Sequence, residues 1–79
     1  MSKYCLVGQD GNAYALMGYT ARALRNEGLG NLVEEMQKKA KSGDYYNLIA
    51  VCDSYLDKAN AVAEKNGYID VGDDEEDEE

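Results

Sequence analysis

The chain has 79 residues with 16 acidic and 8 basic side chains, a net charge of −8, and neither histidine nor proline. Seven of the acids form the run Asp73–Glu79, so residues 1–72 hold nine acids and eight bases, a net of −1. Composition therefore predicts one small domain over 1–72 and a disordered acidic tail over 73–79, and the balanced body argues against a nucleic-acid mimic and against direct nucleic-acid binding.

In chain order, Lys3–Val7 (KYCLV) is β-rich and reads as a short strand. Asp10 or Asn12 is placed to cap the helix that follows. In that helix Ala13, Leu16, Met17, Thr20, Ala21 and Leu24 recur at helical spacing and mark a buried face, and Gly28 stops it. After the Leu29–Gly30 connection, Asn31 with Glu34 three positions on has the pattern of a capping box. Leu32, Val33, Met36 and Ala40 then form a narrow apolar stripe that ends at Gly43. Asp44 is the expected cap of a third helix. Tyr45, Leu48, Ile49, Cys52, Tyr55, Leu56, Ala59, Val62 and Ala63 keep its phase as far as Gly67. Tyr68–Val71 (YIDV) reads as a short second strand pairing with the first. The predicted fold class is α+β, mostly helical, with three helices between two short strands.

About 72 residues form a marginal single core, which raises the expectation of a homo-oligomer. Cys5 and Cys52 fall at apolar positions and are both expected as buried thiols, with a disulfide as the alternative. No signal-peptide pattern precedes them and no apolar run is long enough to span a membrane, so no membrane contact and a cytoplasmic protein are expected.

The absence of histidine removes Ser-His and Cys-His nucleophile pairs and the commonest zinc ligand. Asp10-Gly11-Asn12 hints at a calcium loop, but the twelfth position falls on Ala21, where a bidentate Glu is needed. Gly28-Leu29-Gly30 opens a dinucleotide-like pattern that fails at Val33, and no Gly-Lys-Ser or Gly-Lys-Thr follows Gly8 and Gly11. The expectation is a protein that is not an enzyme and has no metal or cofactor.

One constellation stands out. Tyr14, Gly18, Arg22 and Arg25 share a sector of about 80° on the first helix, away from Leu16 and Leu24. Gly18 costs the helix roughly 1 kcal/mol relative to Ala, so its use would be to let another helix or a flat ligand approach. Arg22 and Arg25 suit phosphates and Tyr14 suits a base. The plainer alternative is two ordinary surface charges and a packing glycine. Arg22 lies ~15 Å along the axis from the helix start, so one phosphate cannot bridge the two. In an antiparallel pair of subunits, one helix's arginines would approach the other's Asp10-Gly11-Asn12 turn, which makes the expected site an oligomer-interface site.

The stretch LVGQDGNAYALMGYTARALRNEG followed by SGDYYNLIAVC resembles a group of small, functionally uncharacterised acidic proteins of phages and mobile elements of gut and soil bacteria. The shared pattern falls on Leu6, Val7, Gly8, Asp10, Gly11, Asn12, Ala13 and Tyr14, then on Met17, Gly18, Ala23, Leu24 and Arg25, and on Gly43, Asp44 and Tyr45. It covers residues 3 to about 57; the long third helix and the acidic tail depart from the shorter relatives. The resemblance implies a counter-defence (anti-defence) protein acting in the host bacterial cytoplasm, of the kind that sequesters cyclic or other nucleotide-like immune signals between subunits or binds a CRISPR effector.

Together these give the expected function: a non-catalytic oligomer that sequesters a small phosphorylated nucleotide signal. Asp10, Gly11 and Asn12 would supply hydrogen bonds, Tyr14 would stack beside Gly18, and Arg22 and Arg25 would take the phosphate charge. Tyr45 and Asp44 are weaker candidates, Asp44 already having a role as a cap. The alternatives are an acidic inhibitor that places its acidic end in the channel of a basic host defence protein, and a phage accessory protein without a ligand.

Overall fold

The computed structural model describes residues 2–68. It consists of helix α1 (Ala13–Asn26), a one-turn 3-10 helix (Gly30–Leu32), helix α2 (Val33–Lys41) and helix α3 (Tyr45–Lys65). The starts of α1 and α3 meet the end of α2 at one pole. At the other, Tyr4 bridges Glu27 and Asn60. Helices α1 and α3 therefore run parallel and α2 returns antiparallel.

The core forms along this seam. Leu16, Met17, Thr20, Ala21, Ala23 and Leu24 of α1 are buried against Leu48, Cys52, Tyr55, Leu56 and Ala59 of α3, with Val33, Met36 and Ala40 from α2 closing it. Ala23 belongs to this face although the expected stripe omitted it, whereas Ala13 is half-buried. Among the described residues Thr20 is the buried polar one. Its hydroxyl donates to the Leu16 carbonyl at 2.9 Å, so the Thr20 side chain is not stranded. Cys52 is fully buried and burial pushes its thiol pKa up, as expected of an inert core thiol.

The helix ends follow local chemistry. Gly28 (φ +79°) and Gly67 (φ +102°) adopt the left-handed conformation after α1 and α3. In each turn the residue beyond the glycine donates back five positions, Leu29 to the Leu24 carbonyl at 2.7 Å and Tyr68 to the Ala63 carbonyl at 2.9 Å. These are Schellman closures, which satisfy the last carbonyls of a helix.

Several expectations are corrected. Among the described residues there is no β-strand, so the α+β class gives way to an all-helical arrangement. Lys3–Val7 forms an irregular strap in which the Asn60 side chain takes the place of a strand partner. Asn60 accepts from the Tyr4 N–H at 2.8 Å and donates to the Tyr4 carbonyl at 3.0 Å. The Cys5 N–H donates to the Tyr19 hydroxyl, and the Cys5 side chain is exposed, not buried. Asn31 caps nothing: it lies inside the 3-10 turn, and α2 starts from Leu32 without a side-chain cap. Leu29 and Leu32 pack partly against the core and draw that segment into the tighter turn. Of the expected second strand, Tyr68 belongs to the closure of α3, and the rest lies outside the described residues, as does the acidic tail.

Candidate functional site

The pole where α1 and α3 begin holds a groove of about 290 Å³. Its floor is apolar, made by Met17 and Leu48 with Ala13 and Ala40 beside them, and its rim carries Tyr14, Tyr45, Lys41 and Asp44. The two tyrosines belong to the residues expected from sequence. Helix α1 brings Tyr14 and α3 brings Tyr45, residues 31 positions apart that the parallel helix pair places on one opening.

Two caps set this geometry. The Asn12 side chain accepts from the Tyr14 and Ala15 N–H groups at 2.9 and 3.3 Å, and Asp10 accepts from the Asn12 N–H at 3.0 Å. Asp44 accepts from the Asn47 N–H at 2.9 Å and fixes the start of α3. The Tyr45 hydroxyl donates to the Gly11 carbonyl, which ties the Asp10-Gly11-Asn12 turn to the rim. The turn is thus a self-satisfied cap and an anchor for Tyr45. Its Asn12, Tyr14 and Ala15 N–H groups are already engaged, so a phosphate there would have to displace Asp10 or Asn12.

The ring of Tyr45 meets that of Tyr46 edge to face, with centroids 6.4 Å apart. Tyr14 is 76% exposed, Tyr45 43% and Tyr46 79%. All three are exposed aromatics in the first turns of α1 and α3, and Tyr14 and Tyr45 face the groove.

Gly18, Arg22 and Arg25 lie outside the groove. Among the described residues a side chain at Gly18 would meet the Arg22 guanidinium at 3.7 Å, an ordinary contact, so none of them crowds this position. Arg22 and Arg25 are exposed, and at 1.5 Å per residue they sit ~12 and ~16 Å along α1 from Tyr14. The structure therefore joins Tyr14, Tyr45 and Gly11 and leaves the arginines on a separate stretch of the same helix. The groove's own cation is Lys41, which sequence reasoning passed over. The signal was available in the run Lys38, Lys39, Lys41 just before the Gly43-Asp44-Tyr45 turn, but its meaning depends on α2 returning antiparallel.

The opposite pole carries a second polar cluster. The Glu27 carboxylate accepts from the Tyr4 hydroxyl and from the Lys3 ammonium at 2.9 Å, and its side chain is 5% exposed. The Tyr4 hydroxyl bond, with Lys3 second, holds the Glu27 carboxyl below the usual carboxylate range. Burial, with the Glu27 bond second, pushes Tyr4 up. On α2, the Glu35 carboxylate accepts from the Tyr55 hydroxyl at 2.6 Å and raises its pKa. None of these residues lines the groove.

Among the described residues no group of three or more histidine, cysteine or acidic side chains converges as a metal site. Nor, among them, is any helix long and apolar enough to cross a membrane. In comparison with known proteins, no family model, no curated protein and no solved structure matches the chain.

Proposed function

We propose that the protein is a non-catalytic binding protein of the phage counter-defence kind, which sequesters a small phosphorylated nucleotide signal at its groove. The single observation behind this reading is the apolar groove rimmed by Tyr14 and Tyr45, two aromatics that the two N-terminal caps hold at one opening. A flat base would lie on Met17 and Leu48 between the tyrosines, with Lys41 beside its first phosphate. At about 290 Å³ the groove falls at the lower edge of ligand pockets, roughly 300–1,000 Å³. That is room for one base per copy, so a cyclic dinucleotide would need two copies. Arg22 and Arg25 are too far along α1 to serve their own groove, and in this reading they serve the groove of a second copy. The biological setting comes from the resemblance of Leu6–Gly28 and Ser42–Cys52 to the small phage proteins.

A thermal-shift panel of linear and cyclic nucleotides and ADP-ribose derivatives tests it. A ligand at a hundred times its dissociation constant stabilises the folded state by ~2.7 kcal/mol, several degrees for a domain this small. The expected result is a selective shift that disappears in Tyr14→Ala, a change at a side chain that is 76% exposed. Arg25→Ala should weaken it, and deletion of 73–79 should leave it in place. A flat panel would overturn the nucleotide reading. Loss of counter-defence activity on deleting the tail, with no nucleotide response, would favour the acidic inhibitor.

A further inference from the structure

The groove is complementary to a segment of this same chain. Its floor is apolar, its rim carries Lys41, and Lys38 and Lys39 lie exposed on the adjoining last turn of α2. Beyond Tyr68 the sequence runs Ile69-Asp70-Val71-Gly72 and then seven consecutive acids. Two aliphatic side chains followed by a block of negative charge match an apolar trough followed by a cluster of lysines.

Length excludes the chain's own groove as the seat for those aliphatic residues. From Leu48 on the groove floor to Lys65 at the end of α3 is 17 residues, ~26 Å of helix. Tyr68 is fixed at that far end by its N–H bond to the Ala63 carbonyl. Val71 lies three residues further, at most ~11 Å of extended chain. Neither Ile69 nor Val71 reaches the groove of its own copy.

We infer that Ile69–Glu79 of one copy docks in the groove of a second copy, Ile69 and Val71 on the Met17–Leu48 floor and the acidic run on Lys38 and Lys41. Two copies with antiparallel α3 helices place each exit beside the other's groove, so the exchange is reciprocal and closes as a two-fold pair. Docking also covers Tyr14, Tyr45 and Tyr46. It would leave nucleotide and tail competing for one trough, but the inference rests on the groove and the tail sequence and not on the nucleotide reading.

The test uses the full chain and its molar mass by light scattering over a concentration series. The unaltered protein is expected at twice the chain mass in low salt, with the pair weakening as salt rises. Two variants, Lys38→Glu/Lys41→Glu and Ile69→Ser/Val71→Ser, should each lose the pair while keeping the helical circular dichroism of the parent. Mixed together, they should form a one-sided pair, because the first keeps a competent tail and the second a competent groove. A full chain that stays monomeric at every concentration would overturn the inference. So would variants as dimeric as the parent, or a mixture that fails to associate. None of these outcomes depends on a nucleotide, so a flat thermal-shift panel and a failed exchange are separate results.

Discussion

Single residues hold the strap and the two poles, and Glu27 shows how. It lies at the C-terminal end of α1, where a carboxylate is not favoured by the helix dipole. The Tyr4 hydroxyl and the Lys3 ammonium compensate by binding it directly. Because its folded pKa lies below the ordinary value, the strap's contribution is fully present above about pH 4.3 and is lost as pH falls through the folded pKa. Glu27→Gln keeps an acceptor for Tyr4 but removes the charge and the titration. The variant should melt below the parent at pH 7, and its melting temperature should fall less steeply between pH 5 and pH 3, ranges set by the carboxylate values. Parallel acid limbs for the two proteins would remove Glu27 as the strap's pH-dependent anchor. None of this was legible in the sequence: Tyr4 and Glu27 are 23 positions apart, and no local pattern pairs them.

At the scale of elements, what was legible is what is decided within one or two turns of chain. Asn12 and Asp44 cap, and Gly28 and Gly67 close, because a cap or a Schellman turn needs only residues up to five positions apart. Asn31 failed for the opposite reason. Its capping pattern is intact, but packing of Leu29 and Leu32 against the core decides the backbone there. The strand over Lys3–Val7 failed because β-propensity is realised only beside another strand, and Asn60 is what the fold supplies. Gly43 shows a local signal whose physical use differs from the expected one. It does not turn with positive φ; a Cβ there would sit 2.9 Å from the Asn47 Cβ and Cγ atoms. That Asn47 side chain donates to the Lys39 carbonyl at 2.9 Å and ties the end of α2 to the start of α3. Gly43→Ala should therefore destabilise by ~1–3 kcal/mol, the range for overpacking, read as a lower denaturant midpoint with an unchanged slope. An unchanged midpoint would show that the α2–α3 junction adjusts freely, and that the groove wall it positions is soft.

For the whole molecule, the short helix α2 decides whether there is a groove at all. Nine residues are too few for a helix to persist alone, where about 12–15 are already marginal, so α2 exists because its buried side chains hold it. Those are Val33, Met36 and Ala40, and Met36 is the large one, with no exposed surface. Truncating such a side chain costs ~2–5 kcal/mol, while a core this size supplies only ~3–5 kcal/mol in total. Met36→Ala should thus consume most of the stability and detach α2, and with it Ala40 and Lys41, the third wall of the groove. The expected outcome is loss of a cooperative thermal transition at 25 °C by circular dichroism. Tyr14→Ala, at an exposed position of the same groove, should melt like the parent. The pair separates two ways of losing a site, by dissolving its wall or by removing its contact. A Met36→Ala protein that melts cooperatively within a few degrees of the parent would mean that α2 is held from outside the monomer core. The partner copy's tail on Lys38 and Lys41 is then the contact to remove next, and Met36→Ala combined with Ile69→Ser/Val71→Ser should abolish the transition that Met36→Ala alone retained.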